Sequence, residues 1–404
     1  MAKFVITLAT IFLVLDKAYT QIFDINETLQ KLPEEAKLNF TQLSTKYAAT
    51  AESHTVITVD GYVLTLFHIP GDKTRPVLLA HGILGAADIY IDRGNTSLIA
   101  GLYREGYDIW VLNVRGNRYS RKHLYLDPDM DKTFWDFSIH EHGNYDLSAN
   151  IDYVLNATGQ KKLSLIGISQ GTTIAFILGA CQPEYNKKIK VFIALAPVVF
   201  LSNLPQPSSL LIKLSSEINE LVTALNQEEL FGYNSALKGL YNIICSQTFG
   251  YDICLRLGMF LITGDDAEQF EPDFYKITIG RFPDGTSRKN IAHYAQIGKR
   301  RSFSQYDYGS ENVVIYNSRV PPNYNLKKFT VDTVFISGKN DKLSTLKDLE
   351  LLKRKLPNVV AAKVLKPINF NHFDHVWGRD THHFSYPFVY SILDKYNRKI
   401  LPVL

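Results

Sequence analysis

The sequence predicts an α/β fold: a mostly parallel central sheet with helices on both faces and a helical insertion between two later strands. Three observations predict it. Short apolar runs alternate with helical patterns along most of the chain. Those runs are hydrophobic at nearly every position, as strands buried on both faces must be. After Pro197 the alternation stops for about 130 residues and then resumes, a gap too long for a structureless loop.

The first twenty residues read as a targeting segment. Lys3 supplies a positive start, and Phe4–Leu15 is an apolar stretch too short to span a bilayer. Ala18-Tyr19-Thr20 places small residues where a signal peptidase cuts, so the mature chain is expected to begin at Gln21. No later stretch is long and apolar enough for a membrane span. The expectation is therefore a secreted protein without a transmembrane anchor, with lysosomal delivery as the alternative. Sequons at Asn26, Asn39, Asn95 and Asn156 suit that compartment as glycan sites.

His54–Val59 and Tyr62–Ile69 flank Asp60-Gly61, the signature of a two-residue hairpin. Pro76–Ala80, Tyr107–Asn113, Leu163–Gly167, Val191–Leu195, Val331–Ser337 and Ala362–Lys366 read as further strands. Leu98–Arg104, Tyr145–Ala157 and Leu346–Lys355 read as helices between them. Residues 21–198 and 329–404 would form the core, and 199–328 a cap over the site; a second, independent domain is the competing reading of that insertion. Within it, Pro205 and Pro207 precede an amphipathic pattern of Leu210, Leu211, Leu214, Ile218, Leu221 and Leu225. Such a segment can turn its apolar face to a site or to lipid.

The charge balance excludes some functions. There are 44 basic and 40 acidic residues, a net +4. The basic clusters Lys187-Lys188-Ile189-Lys190 and Lys299-Arg300-Arg301 are short and isolated, so they read as solvated faces and not as a nucleic-acid surface. Three cysteines are too few for a disulfide scaffold, so the hydrophobic core must carry the fold. Cys245 and Cys254 could close a small loop, and Cys181 reads as a buried free thiol.

The chemistry is concentrated at Gly167-Ile168-Ser169-Gln170-Gly171. By chance a bare G-x-S-x-G occurs in about one chain of this length in seven. Here it sits between an apolar strand, Lys162–Ile166, and an apolar helix from Thr172, the context of the nucleophile elbow of an α/β-hydrolase. The two glycines leave room for a sharp turn that pushes the serine hydroxyl out over the sheet. Such a serine needs a downstream acid and base. Asp341 follows an apolar strand and Gly338. Asp332 precedes that strand, at the wrong end, and Asp348 reads as a solvated helix residue. After the last strand, His372 and His375 compete as base, and spacing only mildly favours His372. Upstream, His81-Gly82 ends a strand in a turn that can aim the N–H of Ile83 at an oxyanion, the second donor being the N–H of Gln170. His81 itself precedes the serine and reads as a turn residue.

Five segments together resemble the acid lipase family, which includes gastric and lysosomal lipases and insect relatives. They are His54-Thr55-Val56 through Asp60-Gly61-Tyr62 with His68-Ile69-Pro70; His81-Gly82-Ile83-Leu84; Asn113-Val114-Arg115-Gly116-Asn117 with Tyr119-Ser120-Arg121; Gly167 to Thr173; and Asn371-His372-Phe373-Asp374 with Trp377. The resemblance implies Ser169 as nucleophile, Asp341 as acid, His372 as base, and Ile83 and Gln170 as oxyanion donors. It also implies a Cys245–Cys254 disulfide in the cap. The family's third cap cysteine would fall near Thr263 and is absent. Ile168 stands where the family usually has His, with its side chain expected beneath the elbow, and His375 stands where an aromatic is common.

The expected function is a serine lipase that hydrolyses triacylglycerol or sterol esters through an acyl-enzyme, at a lipid–water interface and with no metal or organic cofactor. A soluble carboxylesterase of the same fold and a catalytically silent lipid-binding protein are the rivals.

Overall fold

The computed structural model describes residues 32–232 and 235–397. The targeting segment and Asn26 lie outside them. The strands are β1 (Glu52–Ile57), β2 (Val63–Ile69), β3 (Asp72–Ala80), β4 (Tyr107–Leu112), β5 (Leu163–Ile168), β6 (Ile189–Leu195), β7 (Glu229–Leu230), β8 (Thr286–Ser287), β9 (Thr333–Ser337) and β10 (Val359–Val364). The main helices are α1 (Phe40–Tyr47), α2 (Leu98–Arg104), α3 (Ser148–Thr158), α4 (Gln170–Cys181), α5 (Ser208–Lys213), α6 (Ser215–Ala224), α7 (Ala236–Cys245), α8 (Arg288–Arg300), α9 (Leu346–Lys353) and α10 (Tyr386–Asn397).

Eight strands form one sheet in the order β1-β2-β4-β3-β5-β6-β9-β10. The β1–β2 and β2–β4 pairs are antiparallel, and every pair from β4 to β10 is parallel. Alternate residues of each strand serve opposite faces. Val77 and Leu79 of β3 join a core with α2 and α10, whereas Leu78 and Ala80 join a second core with α3, α4 and α9. This double burial is why the central strands are apolar throughout.

The hairpin between β1 and β2 differs from the expected two-residue turn. Thr58 pairs with Tyr62, since its N–H donates to the Tyr62 carbonyl at 2.9 Å. The loop is therefore three residues, Val59-Asp60-Gly61, and Gly61 closes it at φ +93°, the conformation in which such loops favour glycine. This frees the Asp60 carboxylate to bind the buried Arg115 guanidinium at 2.5 Å. Outside residues 199–328, two helices escaped the sequence reading, α1 and α10. The first starts in a capping box between Asn39 and Gln42 and stacks Phe40 on Phe67 of β2.

Residues 199–328 fold mainly as helices and short turns, with a small antiparallel β7–β8 pair. Phe260, Phe270 and Tyr275 from this stretch are buried in the same apolar cluster as β5 and β6. Cys245 at the end of α7 is disulfide-bonded to Cys254, with Cα atoms 5.7 Å apart. Cys181 is free, but half-buried and not buried as expected. Asp348 also departs from expectation. It is buried, and its carboxylate accepts hydrogen bonds from the Asn203 N–H (3.1 Å) and Nδ2 (2.7 Å). Among the described residues no helix is long and apolar enough to cross a membrane.

Candidate active site

Ser169 sits between β5 and α4 at φ +53° and ψ −117°. A positive φ of this kind costs an L-residue on the order of 1–3 kcal/mol and persists only where its surroundings enforce it. Here the Ser169 N–H donates to Leu195 of β6 at 3.1 Å, and its carbonyl accepts from the Thr172 N–H (2.9 Å) and hydroxyl (2.6 Å). The flanking glycines are required by close approach. A Cβ on Gly171 would strike the Ala80 carbonyl, and one on Gly167 would lie 2.7 Å from the Gly171 backbone.

The acid and base candidates meet in buried surroundings. His372 Nδ1 lies 2.9 and 3.1 Å from the two carboxylate oxygens of Asp341. Asp341 also accepts the N–H groups of Leu343 (2.9 Å) and Ser344 (2.7 Å). Burial alone would raise the Asp341 carboxyl, but the His372 imidazole and the Ser344 N–H outweigh it and hold the group below the ordinary carboxylate range. With Nδ1 engaged by a carboxylate, Nε2 of His372 is the nitrogen left for proton transfer.

His375, the competing base, is fully buried and stands edge-on to Phe370 at 4.9 Å. Neither of its ring nitrogens has a hydrogen-bond partner among the described residues. Burial pushes its pKa down to about 3, so the ring is neutral. His81 is likewise buried; its Nδ1 lies 2.8 Å from the Gly82 carbonyl and its Nε2 accepts the Val114 N–H at 3.2 Å. It holds two turns together, as expected of a turn residue.

Ser169 and His372 line one cavity of about 370 Å³ together with Gly82 and Ile83. Its walls are otherwise apolar, with Ile168, Phe231, Tyr241, Met259 and Trp377 prominent. Ile168 thus faces the cavity as well as the core, where the sequence placed it only beneath the elbow. Gly82 abuts the serine: a Cβ there would stand 3.3 Å from the Ser169 Cβ. The N–H groups of Ile83 and Gln170 donate to no protein acceptor among the described residues. Gln170 opens the twelve-residue helix α4, whose N-terminal dipole favours negative charge.

Comparison with known proteins accords with this geometry. The family profile described as alpha/beta hydrolase fold matches residues 75–379, and that described as partial alpha/beta-hydrolase lipase region matches residues 40–94. Lipase 1 of Drosophila melanogaster is 35% identical over 91% of this chain and 82% of its own length. Gastric triacylglycerol lipase of Bos taurus is 35% identical over 89% of this chain and 92% of its own length. The chain belongs to the acid lipase family of α/β-hydrolases. A further family member, lysosomal acid lipase/cholesteryl ester hydrolase of Macaca fascicularis, is 33% identical, covering 90% of this chain and 92% of its own.

Within this acid lipase, several residues that sequence reasoning missed brace the site from the 199–328 segment. Asn290 Nδ2 of α8 donates to Gln170 Oε1 at 2.8 Å. The Thr263 carbonyl accepts the His372 N–H at 3.2 Å; this is the position where the family's third cysteine would fall. The Asp284 N–H donates to the Leu84 carbonyl at 2.7 Å and so supports the turn after Ile83. Arg93 binds the Trp377 carbonyl (2.5 Å) and Glu271 (2.6 Å). Partners this far apart in the chain carry no local signal. Of the sequons, Asn39, Asn95 and Asn156 are all exposed.

Proposed function

We propose that this acid lipase is a serine carboxylic ester hydrolase acting on neutral lipids, triacylglycerol or sterol ester. The observation that carries the reading is the sharing of one apolar cavity by Ser169, on its strained elbow, and the Asp341-bound His372. A long acyl chain needs such walls, and an ester carbonyl needs such a serine.

In this reading His372 Nε2 takes the proton of the Ser169 hydroxyl as Oγ attacks the ester carbonyl. Asp341 orients the imidazole and stabilises the imidazolium. The N–H groups of Ile83 and Gln170 receive the developing oxyanion. His372 then protonates the leaving alcohol, and an acyl-enzyme on Ser169 remains. Water activated by the same imidazole releases the fatty acid. No cofactor enters any step.

Residues 199–328 act as the cap. The exposed side chains of Leu210, Leu211, Leu214 and Ile218 on and between α5 and α6 support contact with a lipid surface. The chain is secreted or delivered to lysosomes after loss of residues 1–20, with glycans at exposed sequons and at Asn26. A soluble carboxylesterase is the alternative. The test compares an emulsified long-chain triacylglycerol with a short soluble ester. Strong preference for the emulsion supports the lipase reading, and turnover of the soluble ester alone supports the alternative.

A further inference from the structure

A cluster of ligand-type side chains lies far from the cavity, at the antiparallel edge of the sheet. Glu52 of β1 is the direct cross-strand partner of His68 on β2. His54, two residues after Glu52, shares its face of the strand. Glu52 Oε2 lies 3.0 Å from His68 Nδ1 and 3.2 Å from His54 Nε2. One ligand atom from each residue lies within 4.8 Å of the other two. β2 is three strands from β5, so the cluster takes no part in chemistry at Ser169.

The surroundings dictate which atoms of the cluster carry lone pairs. His68 Nε2 is 2.8 Å from Asp108 Oδ1. Asp108 also accepts the Gly71 N–H (3.1 Å) and the Trp110 indole N–H (2.6 Å). With its oxygens already taking the Gly71 and Trp110 N–H groups, Asp108 is the acceptor toward His68, and His68 Nε2 carries the hydrogen. A neutral His68 therefore turns the Nδ1 lone pair toward the Glu52 carboxylate. Trp110 stacks on the His68 ring, with centroids 3.8 Å apart, and fixes its plane. His54 Nδ1 lies 3.0 Å from the Tyr153 hydroxyl of α3, which can accept its hydrogen, and in that tautomer Nε2 turns its lone pair toward Glu52.

In that tautomer three electron-pair donors face one another and need a shared cation, either a proton on an imidazole or a metal ion. In tetrahedral coordination with bonds near 2.0 Å, ligand atoms stand about 3.3 Å apart. The two distances from Glu52, 3.0 and 3.2 Å, are close to that spacing, and the two imidazole nitrogens lie within 4.8 Å of each other. A ligating histidine whose other nitrogen donates to a carboxylate is the usual arrangement around zinc, and Asp108 supplies that carboxylate. The Glu52 side chain is 57% exposed, so a water can complete the fourth position.

We propose that Glu52, His54 and His68 form a binding site for one divalent transition-metal ion of the Zn2+ class. The ion is held by Glu52 Oε2, His54 Nε2 and His68 Nδ1, and it ties β1 to β2 at the edge of the sheet. Binding displaces protons from the imidazoles, so protons compete with the metal. The titratable groups facing the cluster are Glu52, His54, His68, Asp108 and Tyr153.

The test is a calorimetric titration of the full chain, freed of metal by chelation, with Zn2+ alone. One Zn2+ per chain should bind at pH 7.5 and weaken by more than about tenfold at pH 5.5. E52Q and H54Q should retain hydrolysis of a soluble ester, which shows that they fold, and lose the site. D108N should weaken binding by about 10- to 100-fold through His68. The adjacent His382 and His383 rings, 3.9 Å apart near the surface, are the competing locus. The double variant H382A/H383A should bind as the parent does. Absence of a one-to-one site, unchanged binding in H54Q, or loss of binding in H382A/H383A would each overturn the proposal.

Discussion

Gln170 and Asn290 join the nucleophile elbow to helix α8 by one buried hydrogen bond of 2.8 Å. Gln170, proposed as an oxyanion donor through its N–H, thus has its side chain held by the inserted segment. Tyr294, one turn further along α8, donates to Thr173 at 3.0 Å. Helix α8 and the turn at Ser169 are therefore joined by side-chain hydrogen bonds.

Replacing Asn290 with Ala leaves the buried Gln170 carbonyl oxygen without its donor, which costs about 1–3 kcal/mol of stability. In the proposed mechanism the Gln170 N–H is used only in the transition state, so kcat should fall with little change in KM. The expected fall is about tenfold, short of the roughly 10²–10³ seen on removing an oxyanion donor outright. Steady-state kinetics and a denaturant melt of N290A check both outcomes.

The two histidines of the last loop should separate cleanly. H372A should lose essentially all turnover. H375F should keep it and gain stability, because phenylalanine keeps the packing against Phe370 and removes two ring nitrogens that have no partner among the described residues. The gain expected from removing such groups is about 1 kcal/mol. An inactive H375F beside an active H372A would reverse the assignment.

The loop that carries His372 also carries Asp374, which pairs with Asp266 of the 199–328 segment. Burial, and then mutual repulsion, raises Asp374 well above the ordinary carboxylate value; burial also raises Asp266. A raised folded pKa means that the native state holds a proton the unfolded chain releases. The pair's contribution to stability is full below the ordinary carboxylate range and is lost as pH rises through the raised values. Relative to wild type, D266N should therefore gain more Tm at pH 8 than at pH 5, shifting the gap between the two melts. An unchanged gap in D266N would place the pH dependence elsewhere.

Leu210, Leu211, Leu214 and Ile218 are each more than a third exposed. Replacing them together with Ser should cut activity on emulsified triacylglycerol and leave a soluble short ester nearly unaffected. Parallel assays on the two substrates read this directly. Equal loss on both would mean that these side chains shape the site and do not meet lipid.

Much of this site was legible in the sequence because its parts lie at strand ends with local signatures. Ser169 stands between two glycines at a strand-to-helix switch, and Asp341 follows β9 and Gly338. Spacing only mildly favours His372 over His375, since both follow the same strand; both rings are buried, and it is the His372 Nδ1 that lies 2.9 Å from Asp341. Asp348 misled because a charged residue in a helical pattern reads as solvated, and nothing local announces Asn203 as its partner. The three-residue hairpin was missed because Asp60-Gly61 is also the strongest two-residue signal. The braces from Thr263, Asp284 and Asn290 depend on tertiary contact alone.

That Ser169 is the nucleophile of an ester hydrolase is tested by turnover of wild type and S169A on an emulsified triacylglycerol, with folding checked by circular dichroism. S169A should fold and show a kcat lower by about six orders of magnitude, as for loss of a triad nucleophile elsewhere. Turnover by folded S169A within tenfold of wild type would contradict the claim.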